Sequence, residues 1–198
     1  MECEFIHIKN MILIGATGQN SGKTTFANEL IQRWHQEIPI IALKITTVNQ
    51  KHAHCVRGGA GCGACSSLFG EFELTEETNP DSGKDTSLLL AAGANRVYWL
   101  KCMKDHLGEA IQQFLTTIPE DALVLCESNS LRNVVRPGLF VMLQNSSDLR
   151  IKPSAEEVLS KADLMIINHF EDDIKDHVSQ IQIQRGVSGL EIELLQTI

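Results

Sequence analysis

The sequence predicts an α/β protein with a mostly parallel sheet covered by helices on both faces, in a single domain spanning residues 1–198. Three observations carry this. Apolar runs of strand length alternate with segments of helical period. Several of those runs are apolar on both faces, as a sheet sandwiched between helices requires. A glycine-rich turn links the first apolar run to the first amphipathic helix. The length of 198 residues, with 43% hydrophobic side chains, suits one domain whose core stands without staples.

The elements follow in order. Met11 to Ile14 reads as a short buried strand ending at Gly15, and residues 23–35 as a helix with Phe26, Leu30, Ile31 and Trp34 on one face. Ile38 to Ile45 and Arg96 to Lys101 are β-rich runs. From Asp105 to Thr116, Leu107, Ala110, Ile111, Phe114 and Leu115 recur at the spacing of an amphipathic helix. Ala122 to Cys126 is a strand that stops at Glu127, and Leu139 to Leu143 is another. Ser154 is expected to cap a short helix after Pro153. Leu164 to Ile167 forms a last buried strand, followed by a polar helix around 171–184. Residues 47–80 break the pattern as a long Gly-, Cys- and His-rich inserted loop, within which Phe72-Glu73-Leu74 suggests a short strand. A loop of that length is usually functional or is fixed by something besides packing.

The net charge is −8, from 17 Lys plus Arg against 25 Asp plus Glu. That balance argues against broad nucleic-acid or anionic-membrane binding, both of which need a positive field. No apolar run reaches the ~18 residues of a membrane span, and Met1-Glu2-Cys3-Glu4 lacks the pattern of a secretory signal. A cytoplasmic protein is expected.

The most informative stretch is Gly15-Ala16-Thr17-Gly18-Gln19-Asn20-Ser21-Gly22-Lys23-Thr24-Thr25. A strand before it and a helix after it are the setting of a P-loop, which cradles nucleotide phosphates. Backbone N–H groups of Gly18, Gln19, Asn20, Ser21 and Gly22 are expected to face the anion, helped by the positive end of the helix. Lys23 reaches the β- and γ-phosphates, Thr24 supplies a hydroxyl for Mg²⁺, and Thr25 continues the first helical turn. The strict pattern places glycine where this chain has Thr17, so the loop is a variant form. Glu127 is either a carboxylate that holds Mg²⁺ or orients water, or simply a polar end to its strand. Lys44, a charge within an apolar run, either points into the phosphate crevice or snorkels at an edge. Asn168-His169-Phe170-Glu171 faintly echoes the guanine-reading Asn-Lys-x-Asp pattern, and Asn168 reads better as a helix cap.

Four blocks in order resemble the P-loop adaptor family of molybdopterin-guanine dinucleotide biosynthesis (MobB-like). They are the loop Gly15 to Thr25; Ala42-Leu43-Lys44; Gly83-Lys84-Asp85-Thr86 with Ala92-Gly93-Ala94; and Val124-Leu125-Cys126-Glu127. The resemblance implies a P-loop nucleoside triphosphatase architecture, GTP or ATP binding with Mg²⁺, weak hydrolysis and a homodimer. It also implies association with a client enzyme of molybdenum-cofactor maturation, and brings Lys44 and Asp85 into the nucleotide site. The chain departs from that family after Lys44, where Ile45-Thr46-Thr47 stands in place of a histidine-rich stretch, and after Glu127, where Ser128-Asn129-Ser130 stands. A more distant resemblance, to dethiobiotin-synthetase-like P-loop enzymes, implies instead an ATP-dependent kinase or ligase acting on a small molecule.

Three of the six cysteines fall within eleven residues. Cys62 and Cys65 have the C-x₂-C spacing with which two thiolates grip one ion, Cys55 adds a third, and His52 or His54 completes a tetrahedral set. Zn²⁺ suits these ligands, an iron–sulfur cluster suits them less well, and a redox pair or three free thiols are the bland alternatives. If zinc is the answer, elemental analysis of protein purified without chelator should find about one zinc per chain, lost on acidification because thiolates must stay deprotonated.

Overall fold

The structure, a computed structural model, describes residues 5–48, 67–171, 174–187 and 189–195. Apolar alternation builds the strands β1 (Ile6–Ala16), β2 (Ile40–Val48), β3 (Phe72–Glu77), β4 (Arg96–Met103), β5 (Leu123–Glu127), β6 (Val135–Asn145) and β7 (Leu164–Asn168). They form one sheet in the order β3-β4-β2-β5-β1-β6-β7, parallel except for the edge strand β3, which pairs antiparallel with β4. The helices are α1 (Lys23–Trp34), α2 (Asp85–Ala91), α3 (Leu107–Leu115), α4 (Pro153–Glu156) and α5 (Ile174–Ser179). A hairpin of β8 (Ile181–Gly186) and β9 (Gly189–Leu194) closes the chain.

Alternation along each strand splits the core into two layers. Ile12 and Ile14 of β1 face Phe26, Leu30, Ile31 and Trp34 of α1, with Leu89 of α2, Val178 of α5 and the hairpin residues Ile181, Ile183 and Leu190 in the same layer. Met11 and Leu13 face the opposite layer, where α3 contributes Leu107, Ala110, Ile111 and Phe114. Phe114 is fully buried and meets Tyr98 edge-to-face at 5.7 Å between ring centroids. Burying such a ring contributes about 1.5–3 kcal/mol. The α/β class with helices on both faces therefore holds.

The chain leaves β1 toward β2 and β4, returns to β5 beside β1, and then crosses to β6 and β7 on the far side. A crevice at the carboxyl ends of the strands, where the order reverses, is where open α/β sheets bind ligands. The Gly15–Thr25 loop lies there.

Several expectations are corrected. The helix expected over 171–184 is only α5; Ile181 and Ile183 alternate with Gln182 and Gln184 at strand period and pair with Leu194 and Ile192 across the hairpin. Ser154 does not cap α4: the N-cap is Lys152, in extended conformation, and Pro153 opens the helix, where its missing N–H is no loss. The inserted segment begins later than residue 47, since Thr47 and Val48 belong to β2; the short strand expected at Phe72-Glu73-Leu74 is present, as the longer edge strand β3, Phe72–Glu77. Helix α2, Asp85–Ala91, is an element beyond those the sequence pattern predicts.

β6 starts at Val135, earlier than its apolar run, and passes through Arg136-Pro137-Gly138. The register with β1 shifts between Ile8 and Ile12, and at Gly138 the backbone comes so close that a Cβ would strike the Lys9 carbonyl oxygen. Gly138→Ala is therefore expected to cost about 1–3 kcal/mol. Denaturant melts should show a lower midpoint with an unchanged slope.

Candidate phosphate-binding site

The loop between β1 and α1 is shaped by its backbone. Asn20 and Gly22 take left-handed conformations, with φ of 50° and 89°. Asparagine tolerates that region, and glycine enters it freely. Thr17 is not among the positive-φ residues, so the position where the strict pattern has glycine does not need one. Its N–H donates to the Leu143 carbonyl at 2.9 Å, and its carbonyl accepts from the Lys152 N–H at 2.9 Å.

Most of the loop's carbonyls are taken by described residues, Gln19 being the exception among Ala16 to Gly22. The Ala16 carbonyl accepts from Asn129 Nδ2 at 2.9 Å, and the Gly18 carbonyl from the Ser21 hydroxyl at 3.3 Å. The Asn20 carbonyl accepts from Asn145 Nδ2 at 3.4 Å, and the Ser21 carbonyl from Asn168 Nδ2 at 3.3 Å. The Gly22 carbonyl accepts the Phe26 N–H at 2.9 Å, the first helical bond of α1. By contrast, the N–H groups of Gly18, Gln19, Asn20, Ser21 and Gly22 donate no hydrogen bond among the described residues. Oxygens bound and donors spared is the pattern of an anion nest. The amino end of α1, a twelve-residue helix with no side-chain cap, adds the positive end of its dipole.

The neighbouring strands bring the other expected residues to this edge. In register, Glu127 of β5 lies beside Ile14 of β1 on one side and Lys44 of β2 on the other. Glu127 is 5% exposed, and its Oε1 has no hydrogen-bond partner among the described residues. A buried carboxylate oxygen left unsatisfied is costly, and such atoms mark places where a ligand is missing or strain is stored. Lys44 forms an ion pair with Asp85, the first residue of α2. The pair is partly exposed, with side chains 27% and 49% accessible, so its role is placement more than stability. Lys23 and Thr24, the first two residues of α1, are half-buried, and Thr25 is exposed. Of the expected set, Lys44 and Glu127 are register partners on central strands beside β1, from which the loop emerges, and Asp85 is joined to Lys44 by the ion pair.

Asn168 is not a helix cap. It ends β7, accepts the Phe170 N–H on Oδ1 at 2.9 Å and donates to the loop. Asn129 and Asn145 join Asn168 around the loop, and neither carries a motif or spacing in the sequence that points there. The ligand set Cys55, Cys62, Cys65, His52 and His54 lies outside the described residues. Among the described residues no three His, Cys, Asp or Glu side chains converge to hold a metal, and no helix is long and apolar enough to cross a membrane. Burial pushes the Cys102 thiol up to about 11 and raises the Cys126 thiol as well, so both are held as unreactive thiols.

Comparison with protein-family profiles, curated proteins and solved structures gives no match to this chain.

Proposed function

We propose that the protein binds GTP or ATP with Mg²⁺ at the Gly15–Thr25 loop and hydrolyses it slowly, acting as a nucleotide-dependent adaptor in molybdenum-cofactor maturation. The observation that carries the nucleotide reading is the row of five unused N–H donors at the head of α1, one strand away from a buried carboxylate with an unsatisfied oxygen. The adaptor role rests on the resemblance in four blocks. Three of these are neighbours in register at β1, β5 and β2, and the fourth is tied in by the Lys44–Asp85 pair.

The donor set fits Mg²⁺. Thr24 offers a hydroxyl as a hard oxygen ligand, and Glu127 a carboxylate oxygen that no donor among the described residues takes and that would hold Mg²⁺ through a bound water, not directly. When bound, Mg²⁺ neutralises charge on the phosphate oxygens. The chain's own residues do the rest. The loop N–H groups and Lys23 hold the phosphate chain and stabilise charge spreading over it in the transition state. In hydrolysis the water oxygen bonds to the γ-phosphorus while the bond to the β–γ bridging oxygen breaks and that oxygen leaves with the diphosphate. The proton released from water passes to the Glu127 carboxylate, and from there to solvent.

The test is calorimetric titration of ATP and of GTP, with and without Mg²⁺, alongside turnover in the presence and absence of a candidate client enzyme. Triphosphate binding that depends on Mg²⁺, with slow turnover raised by the client, is expected. No binding of either nucleotide overturns the reading, and fast turnover that requires a small molecule overturns the adaptor role.

A further inference from the structure

The three asparagines around the loop share one geometry. Asn129 follows β5 by two residues, Asn145 ends β6, and Asn168 ends β7; Asn145 and Asn168 are register partners. Each carboxamide turns its NH₂ onto a loop carbonyl: Ala16, Asn20 and Ser21 in turn. The oxygens of Asn129 and Asn168 are committed as well, to the N–H groups of Ala16 at 2.9 Å and Phe170 at 2.9 Å. Those second bonds fix which way each amide faces. Asn129 and Asn168 are only 7% and 8% exposed.

Two loop glycines answer to these side chains. A Cβ on Gly22 would collide with Asn168 Nδ2, and one on Gly15 would press on Asn129 Oδ1, Phe140 and Met142. Glycine at both places lets an asparagine come close, beyond whatever room a phosphate needs.

We infer that Asn129, Asn145 and Asn168 are positioning residues: Asn145 and Asn168 hold the Asn20 and Ser21 carbonyls and so keep the N–H groups of Ser21 and Gly22 presented before any anion arrives, while Asn129 fixes the entry to the loop through both the N–H and the carbonyl of Ala16. The inference rests on the phosphate-loop reading above. A peptide plane released from its asparagine is free to turn its oxygen inward, where it would repel a phosphate oxygen. A neutral amide is the side chain the task requires. A carboxylate would repel both the carbonyl and the anion, and a lysine or arginine would itself pair with the phosphate. Because the asparagines act on the loop and not on a base, their removal should weaken a base-free phosphate chain as much as a nucleotide.

The experiment titrates inorganic tripolyphosphate, ATP and GTP into wild type, Asn129→Ala, Asn145→Ala, Asn168→Ala and Asn95→Ala. Circular dichroism and thermal melts are run on each. Asn95 is the control: its Oδ1 accepts the Ile40 N–H at 2.7 Å at the amino end of β2, away from the loop. Asn129→Ala and Asn168→Ala should each raise Kd roughly tenfold, by the same factor for all three ligands. Asn145→Ala, with the longest bond and the most accessible site, should fold if the others do not and raise Kd about threefold. Asn95→Ala should lower the melting temperature and leave Kd unchanged. Loop variants that, like Asn95→Ala, lose only thermal stability overturn the inference, as does a loss confined to the nucleotides. Wild type that binds none of the three ligands overturns the phosphate-loop reading and this inference with it.

Discussion

Lys23→Ala is expected to abolish tight triphosphate binding without unfolding the protein. Lys23 is the first residue of α1, and the helix packs through Phe26, Ala27, Leu30, Ile31 and Trp34 on its buried face. Lys23 belongs to neither core layer, and alanine is the better helix former, so the substitution leaves the packing of α1 in place. Binding is another matter. The loop N–H groups contribute partial charges, whereas the lysine contributes a full one, on a stem long enough to follow the phosphate chain. Loss of a charge-assisted contact costs at least about 1.5–3 kcal/mol, or roughly ten- to a hundredfold in affinity. Calorimetry on the folded variant decides it. An unchanged Kd, with the far-ultraviolet dichroism of wild type, removes the phosphate-loop reading altogether.

The parts of the fold visible in the sequence are those in which one physical signal dominates. The face of α1 is written in Phe26, Leu30, Ile31 and Trp34 at helical spacing, and all four pack as expected. β5 is apolar at every position up to Glu127, the mark of a central strand covered on both faces. Misreadings occur where two signals compete. In 171–184 the polar residues mask a period-two pattern at Ile181 and Ile183 that only the hairpin partner strand reveals. At the start of β6, Pro137 and Gly138 read as breakers, yet they sit at a register shift against β1 where a regular ladder is already interrupted. Likewise His7 and Lys9 are polar and sit on the exposed side of β1, so the strand runs five residues earlier than its apolar core, from Ile6 instead of Met11.

The site divides the same way. The loop from Gly18 to Thr25 is local, and a strand, a glycine-rich turn and a helix in succession specify it without help from the rest of the chain. Lys44 is legible as a charge within an apolar run and Glu127 as a charge at the end of one, because a buried strand tolerates such a residue only for a reason. Their adjacency is not legible, since it depends on β5 inserting between β1 and β2 in the sheet. Asn129, Asn145 and Asn168 are harder still. They lie 113, 125 and 147 residues from the loop atoms they hold, and asparagine after a strand is ordinary turn chemistry.

Glu127→Gln should slow hydrolysis about a hundredfold or more while changing nucleotide affinity far less. The substitution keeps the shape of a side chain that is 5% exposed and removes only its charge and basicity. Two roles for the carboxylate lead to the same loss of rate: accepting the proton of the attacking water, or orienting that water beside the phosphate chain. Stability separates both from a structural role. Among the described residues no donor takes Oε1 of this buried carboxylate, and burial of a charge without protein partners is unfavourable. Glutamine, neutral and of the same volume, carries less of that cost, so the variant should melt at or above the wild-type temperature. A site that is stabilised by removing the group its chemistry needs is one in which stability has been given up for activity. Single-turnover hydrolysis, calorimetry and thermal melts on the same preparation read the three quantities separately. A variant that hydrolyses at the wild-type rate and melts lower would show Glu127 to be a structural strand end.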